Sequence, residues 1–179
     1  MSKLPISLII DDGGVVNTFS FHDLAHYHEM LIPPGFALQF GKVCAKYGVR
    51  GKFSIIPMPT GHGDIVQGIE GYDQALTDRW LDVIRARLGG RFDFCPEILT
   101  HGPVVDLASG RLLPIYEHEW SKTQTRATMA PYIARAVELL HQARLTPTGV
   151  TSPVDFGIHV EQEYAAAVGM AFEQVLGVK

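Results

Sequence analysis

Four times in succession a short apolar run is followed by a segment whose apolar residues recur at helical spacing, and this alternation restricts the fold more than any other feature of the chain. Ile6-Ser-Leu-Ile-Ile10 ends on the polar turn Asp11-Asp12-Gly13-Gly14 and reads as a strand buried on both faces. Pro33-Pro34 then opens a helix in which Phe36, Phe40, Val43, Cys44 and Tyr47 form the apolar stripe and Gly48 is the stop. The second strand, Gly51 to Ile56, halts at Pro57, and Pro59, Gly61 and Gly63 mark a long loop. A second helix follows within Tyr72 to Leu88, with Thr77 and Asp78 as start signals and Gly89-Gly90 as the stop. Phe92 to Thr100 carries a third strand, expected in its later part at Ile98-Leu99, and Thr128 to Ala143 a third helix with Pro131 in its first turn. Thr148 to Thr151 and Glu161 to Leu176 complete the series as a fourth strand and helix.

Such an order predicts an α/β fold: a parallel sheet with right-handed crossovers, either open or part of a β/α barrel. With 179 residues, 46% of them hydrophobic, the chain has the material for one domain, 1–179. A formal charge of −4 without any Lys/Arg cluster argues against nucleic acid and against an anionic membrane surface. The apolar run before Asp11 is too short for a membrane span or a signal-peptide core, so a soluble, cytoplasmic protein is expected. The two cysteines, Cys44 and Cys95, encode neither a disulfide framework nor a CxxC metal site.

In a parallel sheet the functional residues belong where strands end and loops begin. Strand one ends at Asp11-Asp12, strand three at Thr100-His101 and strand four at Thr151-Ser152, which brings acids and an imidazole to one rim. Two adjacent acids closing a buried strand are costly to desolvate, which favours a functional pair over a turn cap. One carboxylate and the imidazole suit a divalent ion of the zinc, manganese or iron type, while the other carboxylate stays free to accept a proton. Asp106, five residues after His101, is a third ligand if the Gly102-Pro103 turn folds back.

These residues are where the sequence resembles the polysaccharide deacetylase (NodB-homology) family. Ile10-Asp11-Asp12-Gly13 resembles the family's first motif, which implies Asp11 as general base and Asp12 as metal ligand. Gly51-Lys-Phe-Ser-Ile-Ile is similar to its second-strand segment, and Thr100-His101 with Asp106 resembles its His-containing motif, carrying His101 over as a ligand. The family's second histidine is replaced by Val105 or Asp106, and its base-orienting arginine has no counterpart near Thr151-Ser152-Pro153. The resemblance implies an incomplete or distorted β/α barrel, one form of which is the N-terminal part of a longer barrel. It also implies a divalent metal, zinc first, then manganese, iron or magnesium, and removal of an acetyl group from a saccharide or an amide-bearing small molecule. A second copy of the chain is one way to cover the open sheet or barrel edge.

Two other readings are carried alongside. Asp11 in Ile10-Asp11-Asp12-Gly13-Gly14 also resembles the nucleophile of haloacid-dehalogenase-type phosphatases, with Ser152 as a strand-end hydroxyl for phosphate. A non-catalytic α/β binding domain is the third. His22, in the His22/His26/His28 cluster, and His62, in Thr60-Gly-His-Gly-Asp64, are placed at the entrance to the site as substrate contacts, together with Ser152. Glu117-His118-Glu119-Trp120 is read as a long loop, either lining a cleft or anchored by Trp120 in the core.

Overall fold

The computed structural model describes residues 6–16 and 32–178. In chain order its elements are β1 (Leu8–Gly13), α1 (Pro34–Tyr47), β2 (Gly51–Ile55), β3 (Gly63–Asp64), β4 (Gly68–Ile69), α2 (Gln74–Leu88), β5 (Phe92–Pro96), β6 (Pro103–Asp106), β7 (Arg111–Tyr116), α3 (Glu117–Ser121), α4 (Arg126–Gln142) and α5 (Glu161–Leu176). The architecture is mixed α/β, centred on a three-stranded parallel sheet in the order β1-β2-β5. The fourth strand expected at 148–151 is reduced to isolated parallel bridges, Phe94 with Pro147 and Glu97 with Thr151. Thr148 N still donates to Phe94 O at 3.0 Å and Thr151 N to Pro96 O at 2.8 Å, so this segment runs along the outer edge of β5.

Strand alternation divides the sheet into two faces. Register pairs Ile10 with Phe53 and Phe53 with Phe94, and this row packs into the core with Trp80, Ile84 and Leu88 of α2 and Leu140 of α4. Phe53 is its hub, with ring centroids 6.4 Å from those of Phe40, Trp80, Phe92 and Phe94; each such pair contributes about 0.5–1.5 kcal/mol beyond burial. The other row, Ile9-Lys52-Asp93 and then Ser54-Cys95, lies on the opposite face. Ile9 is 59% exposed there, so this face is only partly covered. A second core joins α4 and α5 through Met129, Ile133, Val137, Ala167 and Ala171.

Several local expectations change. α1 begins and ends as the sequence indicates, with Gly48 at φ 66° closing it in the left-handed conformation that favours glycine. Its buried stripe, however, is Ala37, Gly41 and Cys44, while Phe36, Val43 and Tyr47 are exposed. Close approach to α2 is the reason: a Cβ on Gly41 would stand 2.5 Å from Arg87 Cβ, so small residues face the neighbour and large ones turn out. α2 is capped by Asp73, whose carboxylate accepts from Ala75 N at 2.9 Å, rather than by Thr77 or Asp78. Thr125 caps α4, so Pro131 lies in the helix interior, not the first turn. The third strand occupies Phe92–Pro96 and is over before Ile98, whose φ of 44° breaks it. The β6–β7 hairpin and α3 occupy what the sequence suggested as loop. Among the described residues no helix is long and apolar enough to cross a membrane.

Candidate functional site

Adjacent strand residues ordinarily point to opposite faces, so Asp11 and Asp12 share a site only if β1 departs from regular geometry. It does. The register shifts between the Ile10–Phe53 and Gly13–Ile55 pairs, leaving three steps on β1 against two on β2, and Asp12 sits at φ 56°. This is a bulge, which gives the strand one extra residue and re-aims a side chain. Asp11 stays on the face of Lys52 and Ser54, and Asp12 swings toward the end of β5.

There it meets two groups. Past Pro96 the chain continues with Glu97, whose N–H donates to Ile55 O at 2.8 Å and whose side chain is 3% exposed as part of a buried residue. Glu97 Oε2 accepts the N–H of Asp12 at 2.8 Å, which locks the bulge to β5. His101 Nε2 lies 3.1 Å from Asp12 Oδ1 and 3.6 Å from Glu97 Oε1. One donor atom from each of Asp12, Glu97 and His101 falls within 4.8 Å of the others, and among the described residues no other group of three His, Cys, Asp or Glu side chains does so. Asp12 Oδ1 is buried and makes no hydrogen bond among the described residues, although His101 Nε2 stands 3.1 Å from it. A buried carboxylate oxygen beside a second carboxylate is costly to desolvate, a cost that the nearby imidazole or a cation would offset. Two carboxylates and an imidazole form a donor set that fits zinc, manganese or iron. Burial pushes Glu97 up to about 7, with the negative charges of Asp12 and Asp11 adding to the rise and the Asp12 N–H and Lys52 opposing it. A divalent ion would reverse that balance and hold the carboxylates ionised.

Asp11 is held differently. Ser54 Oγ donates to its Oδ1 at 2.8 Å, Thr151 Oγ1 donates to Ser54 Oγ at 3.0 Å, and Lys52 Nζ donates to Thr151 Oγ1 at 3.0 Å while standing 3.5 Å from Asp11 Oδ1. The chain Lys52–Thr151–Ser54–Asp11 thus fixes Oδ1 of a carboxylate that is half exposed.

His101 is held in the left-handed region, φ 52°, by a buried group. Glu117 Oε2 accepts His101 N at 2.9 Å, while Oε1 accepts Thr100 N at 2.8 Å and the Tyr132 hydroxyl at 2.8 Å. Burial pushes Glu117 up to about 7, and the three donors pull it back toward the ionised form. The loop is tied from the other side by Thr60 N to Thr100 O at 2.8 Å. Strained non-glycine backbone at both Asp12 and His101, each secured by a buried glutamate, is the kind of strain that clusters at functional sites.

The remaining residues singled out from sequence fall elsewhere. Asp106 is not brought to Asp12 and His101: it ends β6, and its oxygens accept Ala108 N at 2.9 Å and Ser109 Oγ at 2.8 Å within its own hairpin turn. Those bonds, the Ser109 hydroxyl foremost, hold its carboxyl below the usual range. His62 Nδ1 pairs with Glu70 Oε2 at 3.2 Å across the β3–β4 hairpin. Ser152 Oγ bonds the Tyr164 hydroxyl at 2.7 Å and is exposed. His22 lies outside the described residues, as do His26 and His28. Trp120 anchors α3 in the core, 5.0 Å from the Tyr132 ring and 6.3 Å from Phe156. Sequence reasoning missed Glu97, Lys52, Ser54 and Glu117 as members of the site. The available signals were a lone Glu closing an apolar strand four residues before His101, and a Lys-x-Ser pair that strand alternation places on one face.

No family model, no curated protein and no solved structure matches the chain.

Proposed function

We propose that the chain is a metal-dependent hydrolase of the polysaccharide deacetylase type, on an incomplete or distorted β/α barrel, removing an acetyl group from a sugar or an amide-bearing small molecule. The convergence of Asp12, Glu97 and His101, each offering a donor atom within 4.8 Å of the others, carries this reading. These three side chains would hold the ion, with Glu97 in the place that the sequence assigned to Asp106. A divalent ion bound there supplies water of lowered pKa and a Lewis acid for the acyl oxygen. Asp11 Oδ2 accepts the proton of the attacking water, as general base. Lys52 and Ser54, on Asp11 Oδ1, keep that carboxylate oriented, and Lys52 supplies the cation that the resemblance lacks in its missing arginine. Glu117 acts through the backbone of His101 and Thr100 as a positioning residue.

Elemental analysis of the purified protein after loading with zinc or manganese, paired with hydrolysis of an acetylated chitooligosaccharide and of p-nitrophenyl acetate, tests the proposal. Asp12→Ala and His101→Ala are expected to lose the metal, Asp106→Asn to keep it. Asp11→Asn is expected to keep the metal and to lose about 10²–10⁴ in rate. Magnesium binding that ignores His101 would favour the phosphatase reading, and no stoichiometric metal at all would leave a binding domain.

A further inference from the structure

The amino-terminal end of the same strands, opposite the candidate site, carries a second feature that the hydrolase reading does not use. A depression of about 580 Å³ opens there between the starts of β2 and β5 and the ends of α2 and α4. Four arginines from four separate segments line it: Arg50 before β2, Arg85 on α2, Arg91 before β5 and Arg144 after α4. Asp93 is the one carboxylate in the lining. With Arg85 paired to Asp82, three positive groups stand against one negative, a local reversal of sign in a chain whose formal charge is −4.

Two of the guanidinium groups are fixed in advance. Arg50 Nη1 donates to Gly90 O at 3.2 Å, and Arg85 donates to Ala143 O and pairs with Asp82. Arg91 and Arg144 make no ion pair among the described residues, so their charge is uncommitted. Arg144 is also unusual in its backbone. It follows the Ala143 C-cap of α4 at φ 58°, with Leu145 N closing on Leu140 O at 3.0 Å, the position and bond pattern at which helices ordinarily place glycine. An arginine there carries a conformational cost and places a guanidinium, a fork of five N–H donors, in the lining. Ser7, Thr146 and Thr148 line the same depression, the Thr148 hydroxyl standing 4.0 Å from Cys95 Sγ. Guanidinium forks match the oxygens of phosphate.

We infer that this depression is a binding site for a phosphorylated small molecule, with Arg91 and Arg144 as its principal anion contacts. The site is independent of the metal cluster, at the other end of the strands, and stands or falls without it. Calorimetric titration of the full chain with inorganic pyrophosphate, against acetate at matched ionic strength, is the direct test. Saturable pyrophosphate binding is expected, weakened by added salt. Arg91→Gln and Arg144→Gln are each expected to weaken it about tenfold, the loss of a charge-assisted hydrogen bond, whereas Arg111→Gln on the β6–β7 hairpin leaves it unchanged. Arg144→Gly separates ligand binding from folding. Glycine is favoured at φ 58°, so this variant is expected to melt roughly 2–4 °C higher in phosphate-free buffer while binding pyrophosphate more weakly. Absence of pyrophosphate binding into the millimolar range, indifference of binding to both glutamine variants, or an equal loss in Arg111→Gln would each overturn the assignment.

Discussion

Replacing Glu117 by alanine should unfold the protein far more readily than its position beside a surface hairpin suggests. The residue is 2% exposed and is the acceptor for three donors, the buried Thr100 N and Tyr132 hydroxyl and the partly buried His101 N. Each donor left without a partner costs about 1–3 kcal/mol. Allowing for some recovery by water in the space vacated, the loss is about 3–6 kcal/mol, a large part of the stability of an ordinary domain. For a chain of this size it corresponds to a melting temperature lower by roughly 10–20 °C. Urea unfolding followed by circular dichroism gives the free energy, and hydrogen exchange at the amides of Thr100 and His101 gives the local effect, which should be a loss of protection at both. Tyr132→Phe removes one of the donors. The double variant should therefore be more stable than the sum of the two singles predicts, by about 1–2 kcal/mol. A loss under about 1 kcal/mol in Glu117→Ala, or unchanged exchange at Thr100 and His101, would refute the idea that this carboxylate holds the His101 loop.

Glu97 and Glu117 both have carboxyls raised from an ordinary 4.5 to about 7, chiefly by burial. A folded state that keeps its protons to higher pH than the unfolded state has this contribution in full below the unfolded value and loses it as pH rises through the folded one. In the presence of a chelator the urea midpoint should therefore decline between about pH 4.5 and about pH 7, and Glu117→Gln should flatten that slope; a midpoint rising over the same range would contradict the assignment. Gly13→Ala should destabilise by about 1–3 kcal/mol or more, because the new Cβ would stand 2.3 Å from both Phe53 Cε1 and the backbone oxygen of Ser54. Urea unfolding within 0.5 kcal/mol of the parent, a margin typical of about-neutral surface changes, would show that β1 and β2 can separate at this point.

The parts of the fold written in runs of residues were legible. Gly51–Ile55 and the last helix, Glu161–Leu176, stand close to where apolar pattern and glycine punctuation put them, whereas the first strand, read as Ile6–Ile10 and buried on both faces, runs Leu8–Gly13 with Leu8 and Ile9 exposed. What escaped were features set by tertiary contact. The inward stripe of α1 was misassigned because hydrophobicity alone favours Phe36 over Ala37, while the space beside α2 admits only the smaller residue. The third strand was placed too late because Ile98 and Leu99 are apolar; they are fully buried, but on a backbone that has already left the sheet. Asp12 and His101, both read as strand ends, do approach to 3.1 Å, although β5 ends at Pro96 and His101 lies on the loop beyond it. Asp106 was added on sequence proximity, yet in Asp106-Leu-Ala-Ser-Gly110 the Asp satisfies itself in a turn. Glu97 was passed over because it hides inside an apolar run, and Glu117 because its role depends on Tyr132, fifteen residues away, and on backbone groups that carry no sequence signal.

The bulge in β1 can be regarded as a change of phase. A regular strand assigns odd and even residues to separate compartments, here the helix-packed core and the partly open face, and two neighbours in sequence never report to the same one. The extra step at Asp11–Asp12 shifts that assignment for everything after it, so that Gly13 falls opposite Ile55 and neighbouring acids can act within one site. Removing a single residue from this turn would restore the parity and send one carboxylate toward the aromatic cluster around Phe53. For anyone grafting this arrangement onto another sheet, the offset is therefore as much a component to be copied as the side chains it delivers.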